Sequence, residues 1–174
     1  MTGKTFLKKL SGGDTDAVAI VLSILKKIKA DYCLIGGLAV NAYADPVVSL
    51  DIDLAVISDR LDDLRREAGS RGIKIRAFKH SLNLDVPGSD LRIQVQTDPR
   101  YQVFIPRGKR RNVLGYLLLV ASVEDVLQGK IWAYSDETRR NSKRQKDLAD
   151  ILRLVETHPR LKRRLPPALS TRLD

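Results

Sequence analysis

Three features of these 174 residues predict an α/β (α+β) fold, a short mixed β-sheet with packed helices followed by a C-terminal helical portion. An apolar strand runs into Gly36-Gly37 and a short helix. Two segments, near 50–56 and 91–97, alternate apolar and polar residues with the period of two that a half-buried strand requires. From residue 122 onward the apolar residues recur every three or four positions, the period of a helix.

Taken in chain order, Val21, Leu25 and Ile28 form a stripe opposite Lys26, Lys27 and Lys29, so a helix is expected from Asp14 or Thr15 to Lys29. A strand over Tyr32–Ile35 reaches the two glycines, and a helix from Leu38 to about Tyr43 follows. The strand carrying Asp51 and Asp53 comes next, then a charged helix with Asp59 as its N-cap that runs to about Ala68, its end marked by Gly69 and Gly72. Strands are expected over 73–78, 81–86 and 91–97, with Pro87-Gly88 as a turn. An irregular basic segment at 107–111 precedes a strand over Tyr116–Val120. Ser122 and Asp125 have the form of a capping box opening a helix to about Tyr134, and a longer helix from about Thr138 ends before Pro159. This organisation divides the chain into an α/β core (1–121), helices packed on it (122–158) and an extended, loosely held basic tail (159–174).

Composition narrows the function classes. A hydrophobic content of 43% excludes wholesale disorder. Cys33 is the only cysteine, so no disulfide forms within the chain and a reducing compartment fits. The longest apolar run, 17–25, is too short to span a bilayer, and the KKIK after it is not a signal cleavage site. These features predict a cytoplasmic protein with no membrane partner. The net charge is +10, and residues 139–174 hold eleven Lys/Arg against four Asp/Glu, an electrostatic footprint suited to nucleic acid.

The chemistry concentrates at two places. On a strand Asp51 and Asp53 point to one side and Leu50, Ile52, Leu54 and Val56 to the other, which holds two carboxylates about 6 to 7 Å apart. Their repulsion is relieved by a shared hard cation such as Mg²⁺ or Mn²⁺. Upstream, Gly36 and Gly37 free backbone N–H groups at a helix start, where an anionic phosphate is stabilised. On the 91–97 strand Arg92, Gln94 and Gln96 share a polar face that lines the same site if the two strands are neighbours. Metal-dependent nucleotidyl transfer generally calls for a third carboxylate, and glutamine cannot serve as a base. Asp85 and Asp98 are the substitutes within reach in sequence.

In the C-terminal half, Lys143/Asp147 and Lys146/Asp150 are spaced as surface ion pairs along one helix. Lys130, Arg139, Arg140 and Lys146 exceed what those aspartates need, leaving cations for a triphosphate. His80 and His158 lack metal-ligand spacing and are read as structural or solvated. Thr2-Gly3-Lys4-Thr5 lacks the upstream glycine and strand of a P-loop.

Gly36-Gly37-x-Ala39, Asp51-Ile52-Asp53, and the helical Lys130, Lys146-Asp147 and Asp150, in that order, resemble the DNA polymerase β-like nucleotidyltransferase superfamily, and within it the AbiEii-type toxin nucleotidyltransferases. The resemblance spans residues 32–154. It implies a nucleotidyltransferase fold, Asp51 and Asp53 as catalytic Mg²⁺ ligands, and Gly36, Gly37, Lys130 and Lys146 around the NTP phosphates, with Asp147 in support. It also implies a toxin role beside an antitoxin protein, while the basic C-terminal region makes RNA the expected acceptor. Two departures stand out. Val47 and Ser49 occupy places where the family commonly has Arg and Thr, and Gln94 or Gln96 replaces the third strand acid. The rival expectation is a degenerate domain that binds nucleotide, RNA or a protein partner without catalysis.

Overall fold

A computed structural model describes residue 12 and residues 15–173 (side chains as far as 171). The Thr2-Gly3-Lys4-Thr5 segment, and Asp14 as a helix start, lie outside the described residues. Helix α1, Ala17–Lys27, begins at Asp16, whose Oδ1 accepts the Ala19 N–H at 3.0 Å. Strand β1, Tyr32–Ile35, leads directly into helix α2, Gly36–Val40. Thus α2 starts at Gly36 itself, two residues before the expected Leu38.

Strand β2, Asp51–Val56, is followed by a 3₁₀ turn, Ser58–Arg60, and helix α3, Leu61–Ser70. Asp59 lies within that turn, and no side chain caps α3. Strands β3 (Lys74–Phe78), β4 (Ser81–Asp85) and β5 (Arg92–Gln96) form an antiparallel meander. A 3₁₀ segment, Pro99–Arg107, with Asp98 capping it, connects to β6, Lys109–Val113. The basic segment expected to be irregular is therefore largely an edge strand. Lacking apolar alternation, it forms because Leu114 and Gly115, both at positive φ, turn the chain back to pair with β7, Tyr116–Val120.

Helix α4, Val123–Ser135, is capped by Ser122, whose Oγ accepts the Asp125 N–H at 3.2 Å. Asp125 does not complete a capping box; it is held instead by Arg107. Helix α5, Asn141–Thr157, ends before Pro159. The last segment is not extended. It forms a 3₁₀ turn, Pro159–Arg164, and helix α6, Pro167–Leu173, anchored by buried Leu161 and Leu169. Two leucines at these positions are enough to draw a basic segment onto the protein.

The seven strands form one mixed sheet in the order β3-β4-β5-β2-β1-β7-β6. β1 runs antiparallel to β2 and parallel to β7, while β2 runs parallel to β5. Ile52, Leu54 and Ile93 pack one face of the sheet against Val18, Val21 and Leu22 of α1. By strand parity Asp51, Asp53 and Gln94 point to the opposite face, over which α4 and α5 stand.

Candidate active site

On that second face the sheet, the Pro99–Arg107 segment and helices α4 and α5 enclose a cleft of about 800 Å³. Asp51, Asp53 and Gly36 meet in it, at the ends of β1 and β2. Gly36 has φ +70°, and a Cβ there would come within 2.2 Å of Asp53 Oδ2, so only glycine lets β1 turn this close to the carboxylate. Gly37 differs. A Cβ on it would meet the Ser49 hydroxyl at 3.4 Å, ordinary contact, and it does not line the cleft.

The carboxylates in the cleft are unequal. Asp51 faces Arg92 across the β2–β5 ladder and receives a two-pronged guanidinium contact, Nε to Oδ1 at 2.9 Å and Nη2 to Oδ2 at 2.6 Å. Lys143 Nζ lies 4.0 Å from Oδ2. Burial by itself would raise the Asp51 pKa, but the hydrogen bonds and charge of Arg92, with Lys143 and Lys146, outweigh it and hold the pKa below the usual value. The sequence placed Arg92 only on a polar strand face; the structure makes it a protein cation already seated on Asp51. The reason is register: Arg92 occupies the position in β5 directly opposite Asp51.

Asp98, Asp125 and Asp147 are also engaged, by Arg100, by Arg107, and by Lys130 with Arg139. Asp136 accepts from Thr138. The Asp53 carboxylate has no hydrogen bond or ion pair among the described residues. One side of it remains reachable from the cleft, the rest is enclosed, and burial raises its pKa against the opposing pull of Lys130. A free carboxylate oxygen beside a second acid fits Mg²⁺ or Mn²⁺, which commonly bind protein through one or two carboxylates and take their remaining ligands from phosphates and water. Among the described residues no group of three or more His, Cys, Asp or Glu is placed to hold a metal ion by itself.

The third-acid candidates separate clearly. Gln94 is directly opposite Asp53 and lines the cleft, as does Gln96. Asp85 sits one strand further out, ion-paired to Arg76 at 2.8 Å and outside the cleft lining. Asp98 lines the cleft, but its hydrogen bonds from Arg100 lower its pKa and occupy both oxygens.

Lys130 is corrected from a spare cation to a buried tie between helices. Its Nζ lies 2.9 Å from Asp147 Oδ1 and 2.7 Å from Asp150 Oδ2. Burial alone would lower its pKa, but the two carboxylates more than compensate and raise it. The expected Lys143/Asp147 and Lys146/Asp150 pairs along α5 are replaced by this contact from α4. Arg153 completes the network, reaching from Asp150 to Asn41 in the loop before β2. Asn41 in turn exchanges two hydrogen bonds with exposed Val47. Lys146 is exposed and does not line the cleft, although its charge still acts on Asp51; Lys143, one helical turn before Asp147, is the α5 lysine that enters.

Sequence reasoning overlooked an aromatic wall. Phe104 and Trp132 stack with ring centroids 5.5 Å apart, Tyr101 meets both edge-on, and the Arg100 guanidinium covers Trp132 at 4.8 Å. Burial pushes the Tyr101 hydroxyl up to about 12. His80 and Lys79, at the β3–β4 turn, also line the cleft, and His80 is exposed there, in keeping with its reading as solvated. His158 does have a packing role, with Nε2 2.8 Å from the Tyr43 carbonyl oxygen. The sequence signal that points toward the wall is helical phase: Trp132 lies three residues after Gly129 and four before Asp136, the spacing of one helix face, and all three line the cleft.

The chain has the nucleotidyltransferase fold. It is similar to the antibiotic-resistance factor ANT(2'')-Ia solved with adenylyl-2''-tobramycin, at 15% identity and a TM-score of 0.61, over 90% of this chain and 94% of that one. The lincosamide adenylyltransferase LnuA, lincomycin-bound, aligns at 13% identity and TM-score 0.53 over 80% and 97% of the two chains. An antigenic nucleotidyltransferase-like protein from Paracoccidioides brasiliensis aligns at 20% identity and TM-score 0.53 over 86% and 75%. No protein-family model and no curated protein sequence matches the chain. No helix among the described residues is long and apolar enough to cross a membrane.

Proposed function

We propose that this protein is a Mg²⁺-dependent nucleotidyltransferase that moves a nucleoside monophosphate from an NTP to a hydroxyl. The observation that carries this reading is the meeting of Asp51, Asp53 and Gly36 in one cleft on one sheet face, with Asp53 unpaired among the described residues. Asp51 and Asp53 would hold the cation, which supplies Lewis-acid polarisation of the phosphate. Gly36 gives the triphosphate close access to the backbone, and Lys143 supplies positive charge from α5, with Lys146 further out. In the transfer, the acceptor oxygen bonds to the α-phosphorus while the bond from that phosphorus to the bridging oxygen breaks, and pyrophosphate leaves with the electron pair. The hydroxyl proton leaves to solvent water, since Gln94 and Gln96 cannot take it as bases and Asp51 and Asp53 would be engaged by the cation. Lys130, Asp147 and Asp150 act by keeping α4 and α5 in place around the cleft.

RNA is the favoured acceptor. Arg140, Lys146, Lys162, Arg163 and Arg164 are exposed, as are Lys109, Arg110 and Arg111 on β6. An AbiEii-type toxin role, with an antitoxin partner in the cytoplasm, rests on the motif resemblance.

A specific observation favours a second reading. Gln94 stands opposite Asp53 where a third acid would help catalysis, and such a site suits nucleotide binding without transfer. Incubation with labelled NTPs, Mg²⁺ and total RNA distinguishes the two. Label on RNA that disappears in Asp53→Asn is the expected result. Nucleotide binding with no labelled product would establish the second reading, and label that persists in Asp53→Asn would mean that a contaminant did the chemistry.

A further inference from the structure

The Asp51–Arg92 fork bears on how many cations this site can take, an inference that rests on the nucleotidyl-transfer reading above. Sites that clamp a transferring phosphoryl group with two metal ions surround the pair with several carboxylates. Here the sheet offers two. The residue opposite Asp53 is the neutral Gln94, and the one opposite Asp51 is a guanidinium that engages both carboxylate oxygens, at 2.9 and 2.6 Å. With Lys143 Nζ 4.0 Å from Asp51 Oδ2, the Asp51 side of the cleft already holds two positive charges. A second divalent ion there would face both of them with no third acid to offset the repulsion.

We propose that the site takes a single divalent cation at Asp53, and that Arg92 is a catalytic residue whose guanidinium occupies the place of a second ion and contacts the bound triphosphate. Arginine suits this role because it stays charged at any working pH. Its two contacts to Asp51 use Nε and Nη2, which leaves Nη1 and the second proton of Nη2 for phosphate oxygens. The paired Asp51 aims the guanidinium along the β2–β5 ladder, toward the cleft that both residues line. Asp51 thereby acts through Arg92 as well as being available as a ligand.

The test is the number of Mn²⁺ ions bound per chain, read by electron paramagnetic resonance and calorimetry in the presence of an α,β-methylene NTP, which cannot be turned over. The wild-type chain should take up one ion. Arg92→Gln should weaken binding of the analogue about tenfold or more, the loss expected for a charge-assisted hydrogen bond, and Arg92→Lys should recover part of it. Arg92→Ser combined with Gln94→Asp, which removes the guanidinium and restores a third acid, should bind a second Mn²⁺. Thermal melts verify that each variant is folded. Two ions in the wild-type chain, or an Arg92→Gln affinity within twofold of wild type, would overturn this proposal and leave the nucleotidyl-transfer reading standing. A folded wild-type chain that binds neither the analogue nor Mn²⁺ would remove both.

Discussion

Asp51 and Asp53 are two residues apart on one strand face, yet they contribute to stability with opposite sign. Asp51 has its pKa lowered, so its contribution is present above the ordinary carboxylate value of 3.8 and is lost as pH falls through its lower folded value. Asp53 has its pKa raised. Its ionised form is penalised by burial, so the penalty is absent below 3.8 and grows as pH rises through its higher folded value. At neutral pH without metal, Asp51→Asn should cost about 1 kcal/mol by weakening a half-exposed fork. Asp53→Asn should raise Tm, and the Asp51→Asn cost corresponds to a fall of about 2–4 °C. Melts of both variants at pH 7 and pH 3 provide the check. Both differences should shrink at pH 3, and a fall in Tm for Asp53→Asn at pH 7 would show that its carboxylate has a partner.

At the scale of elements, the tie between α4 and α5 is made by Lys130, buried between Asp147 and Asp150. A buried ion pair adds little when compared with an apolar substitute, but removing one partner strands the others. Lys130→Ala leaves Asp147 with Arg139 and Asp150 with Arg153, and should still cost about 3 kcal/mol or more in urea unfolding. Lys146→Ala, at an exposed position on α5, should stay within about 0.5 kcal/mol of wild type. If Lys130→Ala leaves stability unchanged and weakens nucleotide binding alone, Lys130 is a phosphate ligand and not a tie. The network also reaches the loop before β2 through Arg153 and Asn41, so the cost should include loosening of the segment that leads into Asp51.

For the molecule as a whole, the excess positive charge lies on exposed surfaces of β6 and the Pro159–Arg164 turn. Contacts of these side chains with RNA phosphates would release counterions, so binding should fall steeply with salt. Replacing Lys162, Arg163 and Arg164 together by Ala should flatten the plot of log affinity against log salt by about 0.7 for each lost single-strand phosphate contact. Filter binding from low to high salt measures this. An unchanged slope would place the RNA elsewhere, and salt-independent binding would mean that phosphates are not what is recognised.

The mixed α/β class, β1, β7, the Asp51/Asp53 face and the Gly36 turn were legible because each follows from a local rule: period-two alternation in a strand, or a backbone conformation that glycine permits. The basic strand β6 was not legible, since its structure comes from pairing with β7 and not from its own residues. Nor was the final helix, which is drawn in by two isolated leucines. At the site, sequence alone determined which residues carry charge and which strand face they share. Only the tertiary structure decided which charges pair. Arg92 meets Asp51 because β5 runs parallel to β2 in one register, and Lys130 meets Asp147 and Asp150 because α4 packs on α5. Those distances depend on long-range packing, which no periodicity within a segment encodes.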